Sequence, residues 1–268
     1  MFIIGAIDRV IKTKYSYNNK ATKIELKKTF IQLPTKNWKI DFEFMEIFIE
    51  ELEALRIEEL EAYLLATWLK DYNLTKEEEK VLENFESGKF EWWEFNIGWD
   101  KGLFEIATGR DVIIWNVIGW NIPLISHQHE NNWITKKIAQ LSDRRIFNYK
   151  NTLPLADRGV FLATTQNEDF HIGTRVKALT FKDGEKTIEK RLFFVASINK
   201  LQILFTEYSS NATDNLPNLN VSLPTKNNQP NYVIMETFIS AIQKLVIKDV
   251  VIYADRKIAA TKSVVIGG

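Results

Sequence analysis

Two segments of the chain carry apolar residues at the spacing of one helix face. These residues occupy positions 45, 48, 52 and 55, and again positions 235, 238, 242 and 245. The three-four-three spacing is that of a heptad seam. Asp41 and Asn231 precede the two seams, and both residue types favour the N-cap position. We predict one helix from Phe42 to about Asp71 and another from about Tyr232 towards Ala260.

The two seams belong to an internal repeat. Leu33-Pro34-Thr35-Lys36-Asn37 recurs as Leu223-Pro224-Thr225-Lys226-Asn227, at an offset of 190 positions from Leu33 to Leu223. The similarity extends backwards, so that residues 1–55 mirror residues 193–245, whereas residues 94–189 have no partner. A repeat of this kind indicates two similar helices, and we expect them to pack against each other in antiparallel orientation. The expected contacts join Met45, Phe48, Leu52 and Leu55 to Met235, Phe238, Ile242 and Leu245. Alternatively, each helix packs only on its own domain.

The remaining pattern mixes short strands with helices. Thr75 and Glu78 form a predicted capping box, and Ser87-Gly88 ends the short helix that follows. Four stretches have the composition of strands: Asp111 to Ile118, Asn121 to Ile125, Val160 to Thr164 and Arg175 to Phe181. We predict breaks at Gly119 and Pro123, a turn at Asp183-Gly184 on a solvated hairpin tip, and a helix within Arg191 to Phe205. The fold class is therefore α+β, a mixed α/β domain with two long helices pairing as an antiparallel coiled coil.

Composition narrows the possible functions. The chain has 268 residues, 45% of them hydrophobic, and no cysteine, which excludes disulfides and thiolate chemistry. We identify no membrane-length apolar run and no signal peptide, and we expect a cytoplasmic protein. The formal net charge is zero, which argues mildly against nucleic acid. Residues 41–61 are mostly acidic, however, and residues 144–191 carry many Lys and Arg, so a neutral total can conceal a basic face.

Candidate catalytic groups are few. His127 and His129 are spaced to share one strand face, but no third metal ligand is evident, so we assign no metal site. Ser126 and His127 are adjacent, and adjacent strand residues point to opposite faces. Asp183 and Glu185 could form part of a metal-dependent nuclease site, but a solvated hairpin tip explains them better. There is no glycine-rich phosphate loop. We therefore predict no catalytic residues in this chain.

Polar side chains are concentrated in the segment without a repeat partner. Residues 126–132 read Ser-His-Gln-His-Glu-Asn-Asn, between two apolar stretches. Asn and Gln can read adenine edges, and Arg or Lys can read guanine. Ala156-Asp157-Arg158-Gly159 and Gly173-Thr174-Arg175-Val176-Lys177 add two basic turns. An ordinary set of solvated loops would have the same composition, so the residues alone leave both interpretations open.

An ordered set of motifs resembles the DNA specificity (S) subunits of type I restriction-modification systems and the related target recognition domains of some type II systems. The set includes the two Leu-Pro…Met-Glu-x-Phe-Ile helix starts and Asn131-Asn132. The other motifs are Glu91-Trp92-Trp93-Glu94-Phe95-Asn96-Ile97-Gly98, Leu103-Phe104-Glu105-Ile106, Ile122-Pro123-Leu124-Ile125-Ser126, Ala156-Asp157-Arg158-Gly159 and Gly173-Thr174-Arg175-Val176-Lys177-Ala178-Leu179. The match covers nearly the whole chain. In the family Asn-Asn is usually followed by Gly, where this chain has Trp133.

The resemblance implies a non-catalytic subunit that addresses partner enzymes to DNA. Family members carry two target recognition domains, each followed by a long helix, and each domain reads half of a split site in double-stranded DNA. The helices dock methyltransferase (M) subunits, which bind S-adenosylmethionine, and a separate restriction (R) subunit cuts DNA. No cofactor is implied for this chain itself. The expected divisions are residues 1–35, the remnant of a first recognition domain; 36–88, the first helix region; 89–222, a complete recognition domain; and 223–268, the second helix region.

Only the last part of a first recognition domain is expected before Leu33, which suggests a truncated subunit or a half-subunit that forms a homodimer. As DNA contacts we select the polar or basic residues in the matching motifs: Gln128, Asn131, Asn132, Arg158, Arg175 and Lys177. Two alternatives remain open. One is a protein-interaction scaffold that has lost DNA binding, and the other is a free-standing metal-dependent nuclease.

Overall fold

The computed structural model describes residues 1–113, 119–128, 130–157, 160–205 and 212–266, and it divides into two compact units. Residues 1–72 and the chain from Val246 onward form the first unit, and residues 73–245 form the second. Helices and sheets are mixed throughout, which confirms the α+β class. Within the described residues, no helix is both long enough and apolar enough to cross a membrane.

The first unit is mainly helical. Its elements from the first 72 residues are α1 (Phe2–Lys14), α2 (Lys23–Lys27), β1 (Thr35–Lys36), β2 (Lys39–Ile40) and α3 (Phe42–Ala66). The second unit adds α4 (Lys76–Glu86), β3 (Trp92–Asn96), β4 (Phe104–Thr108), β5 (Gly119–Ile125), β6 (Ile134–Ile138), β7 (Thr152–Asp157), β8 (Phe161–Ala163), β9 (His171–Ile172), β10 (Val176–Phe181), α5 (Ile188–Asn199), α6 (Ala212–Asn215), β11 (Asn220–Lys226), β12 (Gln229–Pro230) and the start of α7 (Tyr232–Ile266).

Three sheets, one helix between them and the start of α7 build the core of the second unit. The largest sheet is antiparallel, in the order β4-β10-β7-β8. Strands β12-β11-β3 form a second sheet, and β6-β5-β9 form a third in which β9 runs parallel to β5. Helix α5 covers the largest sheet, where Phe194 packs against Phe104 and Phe181 with ring centroids 5.8 and 4.9 Å apart. Burial of these aromatic side chains contributes to the stability of this unit.

The internal repeat has the same local structure in both copies. Each Leu-Pro motif enters a two-residue hairpin whose central residues are left-handed: Asn37 and Trp38 have φ of 51° and 62°, and Asn227 and Asn228 have 53° and 62°. Positive φ at both central positions is the signature of a type I′ turn, which matches the twist of the paired strands. Asparagine tolerates this region better than other non-glycine residues, which explains its place in both hairpins.

Each hairpin leads directly into a capped helix. Asp41 Oδ1 accepts the backbone N–H of Phe44 at 2.9 Å, and Asn231 Oδ1 accepts that of Ile234 at 3.2 Å. Both predicted N-caps are therefore confirmed, and helices α3 and α7 begin at Phe42 and Tyr232.

Aromatic contacts repeat as well. Phe2 meets Phe48 edge to face at 5.6 Å in the first unit, and Phe193 meets Phe238 edge to face at 6.0 Å in the second. The aligned residues thus make the same contact in both copies.

The predicted capping box is present, whereas the two long helices end at other residues than predicted. Thr75 and Glu78 form the predicted reciprocal capping box, and α4 ends at Glu86, next to Ser87-Gly88. Helix α3 ends at Ala66, five residues before the predicted end, and Trp68 follows in the left-handed region with φ of 60°. Helix α7 continues past the predicted end to Ile266.

Several strand predictions need correction. Residues 111–113 are not in a strand, and residues 114–118 of the same prediction lie outside the described residues. Gly119 and Pro123 do not break a strand, because both lie within β5, where irregular pairing with β6 accommodates them. Asp183-Gly184 is a turn, but it leads from β10 into α5 and is not a hairpin tip. Strand β7 was missed, and all six of its residues are buried.

Within the first unit, the later part of α3 packs on the later part of α7. Leu64, Val251 and Ala254 are buried together. Two ion pairs accompany this contact: Glu53 pairs with Lys257 at 3.3 Å, and Lys70, just beyond the end of α3, lies 3.5 Å from Asp255.

Candidate nucleic-acid interface

Several loops of the second unit meet at one end of the largest sheet. We call this cluster the rim, and it consists of residues 109–113, 126–128, 130–133 and 173–175. The N–H of Gly173 donates to the carbonyl of Ile125 at 2.7 Å, which joins the end of β5 to the loop after β9. The N–H of Gly109 donates to Val176 at 2.9 Å, and that of Asp157 to Arg175 at 3.5 Å. The ends of β4, β5 and β7 and the start of β10 thus come together.

Gly109 and Gly173 lie in close backbone contact within the rim. A Cβ on Gly109 would lie 1.8 Å from the carbonyl oxygen of Gly173. Real Cβ atoms do not approach oxygen this closely, so any other residue at position 109 would push the two loops apart. The spacing of the rim loops therefore depends on the absence of a side chain at Gly109.

The loop between β5 and β6 contains three consecutive left-handed residues. Asn131, Asn132 and Trp133 have φ of 50°, 47° and 66°. This conformation is costly for a bulky residue such as Trp133. Its side chain is buried with Phe147 and Phe170, which offsets the strain and fixes the loop to the core.

The three predicted amide side chains lie on this loop. Asn131 and Asn132 are exposed and Gln128 is half-buried. Asn132 Nδ2 donates to the carbonyl of Thr165 at 2.8 Å, Asn131 Nδ2 to Ile134 at 3.1 Å, and Gln128 Nε2 to Glu130 at 3.2 Å. Each amide group has two N–H bonds and one carbonyl oxygen, so one donor and one acceptor remain for a ligand. That pair is what bidentate contact with an adenine edge requires.

Arg175 stands at the tip of the loop between β9 and β10. It is exposed, and its φ of 60° is left-handed. The turn directs the chain from β9, in one sheet, into β10, in the largest sheet. Arg158 lies outside the described residues.

Lys177 differs from the exposed residues of the predicted set because its side chain is buried, and its assignment to DNA stays a prediction. Its side chain is 7% exposed, its Nζ lies 3.4 Å from Asp157 Oδ2, and it donates to Thr108 Oγ1 at 3.0 Å. A charge this deeply buried requires its partner, and extracting the ammonium towards DNA would break its contact with Asp157. Sequence proximity to Arg175 suggested a shared surface, but Lys177 lies in β10 between β4 and β7.

Three arginines were not selected from the sequence as DNA contacts: Arg110 in the rim, and Arg144 and Arg145 beside it. Arg144 donates from Nη1 to the carbonyl of Arg110 at 2.9 Å and from Nη2 to that of Asp111 at 2.5 Å. Arg145 lies over the ring of Phe147, 5.1 Å from its centroid. Arg144-Arg145 is visible in the sequence as a basic pair, but only the fold brings it to the loop after β4.

The histidines have separate surroundings. His171 is buried, and its Nε2 accepts the N–H of Leu141 at 3.3 Å, so its Nδ1 is the donor to the carbonyl of Arg145 at 3.0 Å. These bonds give His171 a structural role. His129 lies outside the described residues, and among the described ones no group of three or more His, Asp or Glu is placed to hold a metal ion.

The eight seam residues are divided between the two units. Met45 is buried, while Phe48 and Leu52 line a cavity of about 820 Å³ between α1 and α3, and Leu55 is exposed. In the second unit Met235 and Phe238 pack into the main core, Ile242 is half-buried and Leu245 is exposed. The predicted contacts join residues of different units and stay a prediction. The α3–α7 contacts seen within the first unit use a different set, centred on Leu64.

No protein-family model matches the chain, and no curated protein matches it. Similar solved structures include the S subunit of a type I restriction-modification system from M. genitalium, with 14% identity, a TM-score of 0.45, and coverage of 81% of this chain and 56% of that one. The HsdS subunit from Thermoanaerobacter tengcongensis is 15% identical, with a TM-score of 0.42 and coverage of 94% and 61%.

A third similar chain comes from a structure on complex assembly and conformational transition of the type I restriction-modification system. It is 16% identical, with a TM-score of 0.44 and coverage of 97% of this chain and 65% of that one. The chain thus spans between 56% and 65% of the length of these three solved chains. Its structural neighbours are type I restriction-modification specificity subunits.

Proposed function

We propose that the chain is a sequence-specific DNA recognition subunit of a restriction-modification complex, without catalytic residues of its own. Residues 89–222 read one half-site of double-stranded DNA, and the long helices dock a methyltransferase subunit. The methyltransferase subunit binds S-adenosylmethionine, and a restriction subunit joins the same complex. The ordered motifs along the sequence support the assignment to this class.

The observation that carries the proposal is the composition of the rim. Exposed Asn131, Asn132 and Arg175 lie on loops joined by the hydrogen bond from Gly173 to Ile125. Amide side chains suit adenine and guanidinium groups suit guanine, so the rim offers chemistry for two kinds of base edge. The loops rest on buried Trp133 and on the Gly109–Gly173 contact, and such rigid support favours specific readout over adaptable binding.

The helices supply the proposed protein-docking surface. On α3, Glu50, Glu51, Glu58 and Glu59 are exposed. Arg56 is the one exposed base among them and pairs with Glu59 at 2.6 Å, and a predominantly acidic surface favours a partner with a complementary basic face.

A gel-shift series with the methyltransferase subunit present tests the proposal. The complex should shift a duplex that contains its target sequence at salt concentrations where a scrambled duplex no longer binds. Loss of that difference in a variant with Asn131→Ala and Asn132→Ala would assign the readout to the rim. Equal binding of both duplexes at every salt concentration would instead favour the alternative, a protein-interaction scaffold derived from such a subunit.

A further inference from the structure

A small cavity opens beside the rim, next to the loop that follows β4. It has a volume of about 190 Å³ and lies between that loop and residues 143–147. The polar and aromatic lining is Thr108, Arg110, Asp143, Arg144, Arg145 and Phe147. Three of the six carry a guanidinium group, a concentration of positive charge that the DNA contacts chosen from the sequence do not include.

The three arginines differ in how firmly their side chains are held. Arg144 is held by two backbone carbonyls, and its Nε lies 3.6 Å from Asp143 Oδ2. It therefore shapes the cavity and contributes charge from a fixed position. Arg145 is about half-exposed, stacks on Phe147 and lies 3.3 Å from Glu105. Arg110 is exposed. Arg145 and Arg110 can therefore turn towards a ligand without breaking a buried contact.

Thr108 adds a neutral donor. Its Oγ1 accepts a hydrogen bond from the buried ammonium of Lys177 at 3.0 Å. A hydroxyl that accepts in this way still has its own hydrogen to donate, and the ammonium fixes which side of the oxygen is occupied. Lys177 consequently acts as a positioning residue, which orients the hydroxyl of Thr108.

We propose that this cavity binds one phosphate group, and that on the proposed function the phosphate belongs to the DNA backbone beside the bases read by the rim. Arginine forks match the oxygens of a phosphate in geometry and charge. A phosphate contact of this kind sets the register of the protein on the duplex and carries no sequence information. The exposed carboxylate of Asp143, which also lines the cavity, opposes binding.

Titration of the full chain with inorganic phosphate, followed by NMR or calorimetry, tests the site itself. Arg145→Gln and Arg110→Gln should each weaken phosphate binding at least fivefold, while Asp143→Asn should tighten it. Arg56→Gln removes an exposed arginine on α3 and should leave binding unchanged. Equal affinities in the wild type, Arg145→Gln and Arg110→Gln would overturn the proposal. The proposal would also fail if the wild type and Asp143→Asn both bound phosphate no more tightly than Arg145→Gln.

Titration of duplex DNA in a salt series identifies the source of the phosphate. In Arg145→Gln, the slope of log affinity against log salt should fall by about one, equally for target and scrambled duplexes. An unchanged slope would overturn the assignment to the DNA backbone while sequence reading by the rim still held. Conversely, an Arg145-dependent slope with no preference for any sequence would support the phosphate site and contradict the proposed function.

Discussion

The carbonyl oxygen of Gly173 occupies the space that a side chain on Gly109 would need, because a Cβ at Gly109 would lie only 1.8 Å away. This contact fixes the loop after β4 against the loop between β9 and β10. Arg175 stands two residues beyond Gly173, and Arg110 directly follows Gly109. The position of both arginines therefore depends on a backbone contact that only glycine at position 109 permits.

Gly109→Ala should separate these two loops and weaken DNA binding, because the rim residues lose their common support. The clash involves two backbone segments, so we expect destabilisation by roughly 2 kcal/mol, comparable with an overpacked core site. Urea denaturation gives the change in the free energy of unfolding. Gly5→Ala is the control: it lies in α1 with open space around it and should stabilise by about 0.5–1 kcal/mol. Unaltered stability of Gly109→Ala would show that the loops can part freely.

Arg175→Ala should weaken DNA binding and, if the guanidinium reads a base, relax specificity at one position of the target. Loss of a bidentate arginine–guanine contact costs about 1–3 kcal/mol of discrimination. Binding to duplexes with single-base substitutions, measured at several salt concentrations, separates a base contact from a phosphate contact. Lys89→Ala is the control: it removes a positive charge from an exposed residue of the same unit that is not one of the rim residues. If both variants bind alike, Arg175 makes no specific contact.

Leu64→Ala should destabilise the first unit by about 2–5 kcal/mol, because it removes a fully buried side chain from the contact between α3 and α7. Leu64 is 1% exposed, whereas its neighbour Leu65 is 55% exposed. Leu65→Ala therefore tests the same change of residue on the same helix without a cavity and should cost little. Thermal denaturation followed by circular dichroism compares them, and similar melting curves would argue against the Leu64 cluster as a stabilising contact.

The charge of Glu78 makes the stability of the second unit depend on pH. Burial raises the pKa of this carboxyl, but hydrogen bonds from Ser240, the Thr75 backbone and Lys244, with the charge of Lys244, together lower it below its ordinary value. A depressed folded-state pKa stabilises above the unfolded pKa of about 4.3, and the contribution is lost as pH falls through the folded value. Glu78→Gln should therefore be less stable than the wild type at pH 7, and the gap should shrink below about pH 4.

Urea denaturation from pH 7 to pH 2.5 measures this gap. Glu77→Gln is the matched control, because Glu77 is exposed in the same first turn of α4. A gap between Glu78→Gln and the wild type that stays constant with pH would assign the loss to the shape of the side chain and not to its charge.

Local signals predicted the elements that local interactions determine. Asp41 and Asn231 were identified as N-caps because the capping hydrogen bond spans only three residues. The Thr75 capping box was predicted for the same reason. Strand β10 was found as a run of β-branched and apolar residues, with its start one residue after the predicted Arg175.

Features that depend on strand register were not predicted. Strand β7 contains Pro154 and is buried between β10 and β8, so it lacks the alternation that marks a half-buried strand. Lys177 was assigned to DNA because its partner, Asp157, is distant in sequence and becomes its neighbour only through the pairing of β7 with β10. The contact between Gly109 and Gly173 has the same origin, since neither glycine carries a local signal for the other.

Sequencing of DNA methylation across the genome tests most directly whether this chain gives a methyltransferase its DNA address. Cells with the gene should carry methylated bases at one recurrent sequence motif, cells without it should lose methylation at that motif, and restoring the gene should bring it back. Restoring the Asn131→Ala, Asn132→Ala variant should leave part of the motif unread. An identical methylation pattern with and without the gene would contradict the account.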